Sequence, residues 1–113
     1  MLIALCRLDE VADGCARGLD PLQRGRDSLF VLRCAGEVRL YRNSCPHQQV
    51  PLEYRKDRFL SADGSRVICY AHGAHFLPDS GVCVYGPCLG ERLTSLPWVE
   101  QDGWLLVDEA DLL

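Results

Sequence analysis

Two short segments of this 113-residue chain pair a thiol with an imidazole. Cys45-Pro46-His47 sets them two positions apart, and Cys69-Tyr70-Ala71-His72 sets them three apart. Thiolates are soft ligands that take zinc and iron–sulfur clusters alike, and neutral imidazole takes zinc or iron. Zinc fingers usually pair Cys with Cys and His with His, with the second pair commonly on a helix. Here each segment mixes the two types. The tight Cys-x-His step suits a two-iron centre in which one iron takes both thiolates and the other both imidazoles. Cys45 and Cys69 would then hold the inner iron, and His47 and His72 the outer one, nearer solvent. A structural Cys2His2 zinc module is the alternative that residue type alone leaves open. Two histidines at matched offsets from two cysteines argue against isolated surface imidazoles and inert buried thiols.

The elements that must position these segments read as short strands. Ile3 to Cys6 is a candidate first strand, and Leu8 to Val11 before Gly14 is a turn or a single helical turn. Ser28–Arg33 and Glu37–Arg42 flank Cys34-Ala35-Gly36, a hairpin signal. Arg58–Leu60 and Arg66–Cys69 flank a turn at Asp63-Gly64. Ala74–Leu77 and Val82–Tyr85 flank Pro78–Gly81, and Trp98–Glu100 and Trp104–Val107 flank Gln101–Gly103. Residues 43–57 and 86–97 read as loops. No stretch sustains a helical period. Many short strands separated by turn residues predict an all-β fold, an antiparallel sandwich or barrel. The length predicts one domain over residues 1–113, with the metal-binding part at about 43–90.

Composition narrows the function. The net charge is −4 and the pI about 5.2, which argues against nucleic acid as a partner, because phosphate binding needs a clustered basic face. The densest basic run, Arg55-Lys56-Asp57-Arg58, reads as a solvated loop. The apolar opening Met1–Leu5 is too short for a secretory core or a membrane span, so a cytoplasmic protein without a membrane partner is expected. Seven cysteines, an odd number, fit ligands or buried thiols better than a disulfide framework.

The pieces Cys45-Pro-His47, Cys69-Tyr-Ala-His72-Gly73-Ala-His-Phe76 and Gly86-Pro87 resemble the Rieske iron–sulfur family over residues 28 to about 107. The resemblance implies a Rieske-like antiparallel fold and a [2Fe–2S] cluster on Cys45, His47, Cys69 and His72, with the Gly86-Pro87 loop covering it. Small domains of this length resemble the ferredoxin components of ring-hydroxylating oxygenases and the small subunit of nitrite reductase. The implied role is one-electron transfer between a flavin-dependent reductase and a terminal oxygenase or reductase. A terminal oxygenase would need further histidines for a mononuclear iron, and only His75 remains. The chain alone therefore reads as an electron-carrier component. One departure is the 21-residue segment 48–68 between the boxes, longer than usual in the family. The extra length is expected in Arg55–Ser65, and loop entropy makes it inexpensive.

The resemblance also bears on potential. High-potential members link their ligand loops by a disulfide at positions that here hold Val50 and Ala71. They also place Ser and Tyr hydroxyls where this chain has Ala74 and Phe76. Without those donors the cluster is expected toward the lower end of the roughly −150 to +300 mV range. His75 reads as a non-ligand, since alternation sets it opposite Ala74 and Phe76. Cys83 and Cys88 read as small buried hydrophobes, with mutual pairing or nearness to the cluster as alternatives. Cys6, Cys15 and Cys34 carry no site signal. Trp98 and Trp104 are expected as core or barrel-closing residues rather than a ligand platform.

Overall fold

The structure, a computed structural model, describes residues 1–112. Among these residues nine strands form: β1 Leu2–Arg7, β2 Ala16–Leu19, β3 Leu29–Cys34, β4 Glu37–Arg42, β5 Val67–Cys69, β6 Ala74–Phe76, β7 Cys83–Tyr85, β8 Val99–Gln101 and β9 Trp104–Asp108. They pair antiparallel in three sheets, ordered β1-β9-β8, β2-β3-β4 and β5-β6-β7. One-turn 3-10 segments at Leu8–Glu10 and Glu109–Leu112 complete the regular structure. The expected all-β class is therefore observed. No helix among the described residues is long and apolar enough to cross a membrane.

Strand β3 organises the interior. Its first four residues, Leu29-Phe30-Val31-Leu32, are all buried, the mark of a strand covered on both faces. Alternate side chains go to different cores. Phe30 and Leu32 join Tyr41, Leu52, Phe59, Val67, Phe76 and the buried cysteines 45, 69, 83 and 88. Leu29 and Val31 join Cys6, Val38, Leu40, Leu105 and Val107. The β3–β4 turn needs two left-handed residues, and Ala35 (φ 51°) and Gly36 (φ 78°) provide them.

The 48–68 excursion is folded rather than loose. Phe59 stacks on Phe30 at 4.4 Å and 12°. Ile68 N–H donates to Phe59 O at 2.8 Å, and Ser61 N–H to Arg66 O at 2.8 Å. The expected strand at 58–60 shrinks to one bridge, Leu60 with Val67. The outer turn ties back to β2, where Gly18 N–H donates to Asp57 Oδ1 at 2.7 Å and Lys56 Nζ pairs with Asp27 at 2.8 Å. A Cβ on Gly18 would meet Asp27 Oδ2 at 2.1 Å, so glycine here leaves room for the Asp27 carboxylate that pairs with Lys56.

One strand went unpredicted, and one expectation needs amending. Ala16-Arg-Gly-Leu lacks a β-branched or alternating pattern, yet it forms β2 through pairing with β3. Trp98 packs against the second core as expected. Trp104 does not enter the core. It is 39% exposed, with the Arg7 guanidinium 5.4 Å over its ring, a cation–π arrangement at the sheet surface.

Candidate metal centre

Both cysteine-histidine boxes fold as the same tight turn. Gln49 N–H donates to Cys45 O at 2.6 Å, and Gly73 N–H donates to Cys69 O at 2.7 Å. In each case the fifth residue is left-handed, Gln49 at φ 58° and Gly73 at φ 74°. The chain reverses right after each cysteine, so both sulfurs stay inside while the histidines reach outward. The turns are also joined, because Tyr70 N–H donates to Leu52 O at 3.0 Å.

Cys45 and Cys69 are fully buried. The sulfurs of these two cysteines and a ring nitrogen of His72 lie within 4.8 Å of one another. His72 Nδ1 faces Cys69 Sγ at 3.8 Å. His47 is exposed, and its ring packs edge-on against His72 at 5.0 Å. The four residues singled out by spacing are thus brought to one place, thiols inward and imidazoles outward. Burial pushes the Cys69 thiol above its usual pKa, and the neighbouring Cys45 adds to that. The backbone N–H groups of His72 and Ala71 act the other way, favouring a thiolate. A bound cation would complete that inversion, since metal binding displaces the thiol proton.

His75 points away from this group, alternating with buried Ala74 and Phe76, and packs on Tyr85 at 5.0 Å. A cleft of about 1070 Å³ runs between residues 13–16 and 54–64 and touches Tyr70, but none of the four box residues lines it.

Two supports flank the turns, the first not foreseen and the second implied only by the resemblance. Asn43 is 8% exposed and braces the Cys45 turn. Its Oδ1 accepts from Leu52 N–H at 2.8 Å, and its Nδ2 donates to Asp27 O at 2.8 Å and to the Glu53 carboxylate at 2.9 Å. A polar residue between a strand and a proline-containing loop is the only signal in the sequence, and it is weak. Gly86 is the second support. Its φ of 105° and a built Cβ at 2.8 Å from Ala74 Cα show that the Gly86-Pro87 loop lies directly on β6, just after the Cys69 turn.

The donor set fits a cluster with unlike ends. Two buried thiols suit an inner iron, and two outward imidazoles suit an outer one. Comparisons agree. The model of the Rieske [2Fe-2S] domain family matches residues 1–100. Among solved structures, a Sphingomonas yanoikuyae B1 ferredoxin is 27% identical, with 96% of this chain and 99% of that chain covered and a TM-score of 0.72. The ferredoxin of carbazole 1,9a-dioxygenase from Nocardioides aromaticivorans IC177 is 20% identical, with 95% and 96% covered and a TM-score of 0.68. A chain from a complex of reduced oxygenase and oxidized ferredoxin in carbazole 1,9a-dioxygenase is 20% identical, with 94% and 91% covered and a TM-score of 0.69. At 20% identity the last two show the fold alone. No curated protein sequence matches.

Proposed function

This chain belongs to the Rieske [2Fe–2S] domain family, and we propose that it is a one-electron carrier whose cluster is held by Cys45, His47, Cys69 and His72. One observation carries the reading. Two equivalent turns put two buried thiols and the His72 imidazole within 4.8 Å, with the exposed His47 ring against His72. The metal-binding part is residues 43–90. Bound there, the cluster supplies one reversible electron.

The residues divide the work. Cys45 and Cys69 sit in an apolar core that excludes water. His47, exposed at the tip, gives an electron its shortest way to a docked protein. Tyr54 and Tyr70, both exposed and in edge contact at 4.6 Å, offer further apolar surface next to the Cys69 turn, Tyr70 being its second residue. Encounters of this kind bury little area and separate quickly. The proposed donor is a flavin-dependent reductase and the proposed acceptor a terminal oxygenase, in keeping with the ferredoxin–oxygenase complex among the similar structures. The potential is proposed to be low for a Rieske centre. Ala74 and Phe76 are buried without a hydroxyl to donate, and such donors stabilise the reduced, more negative state.

Protein purified without oxygen tests the reading. Expected are two irons and two inorganic sulfides per chain, with the EPR signal of a reduced histidine-ligated cluster. Bound zinc without sulfide would overturn it. A midpoint well inside the positive half of the range, read by protein-film voltammetry, would overturn the low-potential part.

A further inference from the structure

Behind the ligand turns lies a second sulfur pair that the electron-carrier reading does not use. Cys83 ends up 1% exposed and Cys88 2% exposed. Cys88 Sγ donates to Cys83 Sγ at 3.1 Å, and Cys83 Sγ donates in turn to Tyr85 O at 3.3 Å. The loop between them is pinned shut. Cys83 N–H donates to Glu91 O at 2.7 Å, Gly90 N–H to Cys83 O at 3.1 Å, and Glu91 N–H to Cys88 O at 2.9 Å. A disulfide bond is about 2.05 Å long, so the sulfurs need to close by about an ångström within a backbone that already holds them face to face.

We infer that Cys83 and Cys88 form a reversible disulfide, a two-electron thiol site under the Gly86-Pro87 loop whose state alters the potential of the neighbouring cluster. The oxidant is a low-molecular-weight disulfide such as oxidised glutathione. The Cys88 thiolate attacks one glutathione sulfur and the first glutathione leaves as a thiol. The Cys83 thiolate then attacks the Cys88 sulfur of the mixed disulfide and the second glutathione leaves. Two cysteine thiols are oxidised, one glutathione disulfide is reduced, and the two cysteine protons end on the two released glutathiones.

Access is through the loop itself. Gly86, Pro87 and Leu89 are exposed, Leu89 to 68%, so Cys88 lies one residue beneath the surface. Attack is slow, because Cys88 and Cys83 are both buried in an apolar core. Shared packing is the link to the cluster, because Cys83 and Cys88 lie in the same buried core as Cys45 and Cys69. Closure removes two S–H groups from that core, and the surroundings of the ligand sulfurs set the potential. Closure therefore shifts the midpoint.

The coupling rests on the cluster reading, whereas disulfide closure does not. Cluster-loaded protein is equilibrated for hours in glutathione buffers from reducing to oxidising, quenched in acid, alkylated and digested with trypsin. The peptide from Val67 to Arg92 carries Cys69, Cys83 and Cys88. The expected product lacks two hydrogens, with fragmentation placing the bond between Cys83 and Cys88, while visible absorbance persists. The midpoint is expected to shift in step with that fraction, and a Cys83→Ala/Cys88→Ala variant is expected to lose the response. A peptide fully alkylated in every buffer, a bond involving Cys69, or a stable glutathione adduct would overturn the inference. Closure with an unchanged midpoint would overturn the coupling and reduce the pair to a structural bond. Absence of iron and sulfide would instead sink the carrier reading, and the peptide result would still stand.

Discussion

The Cys45 and Cys69 turns have one shape and two foundations. Each cysteine carbonyl accepts from the amide four residues on, and each turn closes in a left-handed residue. The Cys69 turn sits inside the β5–β6 hairpin, where Cys69 pairs with Ala74, and glycine fills its strained position. The Cys45 turn follows β4 with no partner strand after it. It relies on the Asn43 side chain, and a glutamine, Gln49, takes the left-handed conformation. A sheet can hold one turn by regular pairing. Outside a sheet the same geometry needs a buried amide side chain.

Removing the shared chemistry should erase the difference between the turns. Cys45→Ser and Cys69→Ser are each expected to abolish cluster assembly, seen as loss of iron, sulfide and visible absorbance. Assembly surviving in either variant would remove that cysteine from the ligand set. Asn43→Ala should break the comparison next. It leaves the buried Leu52 N–H unpaired, which costs about 1–3 kcal/mol, and urea unfolding should read that loss together with faster cluster release. An unchanged midpoint of unfolding would show that the Cys45 turn stands without its brace.

Swapping the strained residues sharpens the contrast. Gln49→Gly should stabilise by about 0.5–1 kcal/mol, because glycine adopts the left-handed region without steric cost. Gly73→Ala should destabilise by about 1 kcal/mol for the same reason reversed. Shifts of the same sign would refute the equivalence.

The smallest effect concerns the outer loop beyond the Cys45 turn. Hydrogen bonding and charge from Asp27 hold Lys56 above its usual pKa. A raised folded-state pKa means that the contribution is fully present below the unfolded value, about 10.4, and is lost as pH rises through the folded one. Lys56→Met should remove that small contribution at neutral pH and flatten the alkaline limb of the stability curve, so that variant and parent converge above the folded pKa.

Local chemistry was legible in the chain and distant pairing was not. Cys-x-His and Cys-x-x-His carry their meaning within four residues, and turns such as Ala35-Gly36 announce themselves by residue type. β2 could not be read, since Ala16-Arg-Gly-Leu becomes a strand only because β3 lies beside it. The pairing of β1 with β9 joins positions about a hundred residues apart, and no local pattern encodes it. Asn43 has the sequence signature of any loop residue, and only the fold brings its three side-chain partners around it. Cys83 and Cys88 left three readings open, because whether a five-residue separation brings sulfurs together depends on how the intervening loop closes.

Strand β3 sends Phe30 and Leu32 to one interior and Leu29 and Val31 to the other. Sliding it by a single position would exchange the two sets and put each side chain in a space shaped for another. Neither half can loosen alone, because the wall between them is one strand of backbone. Heat that melts β3 itself must therefore open both interiors together, and loss of colour from the loaded protein is expected to accompany it.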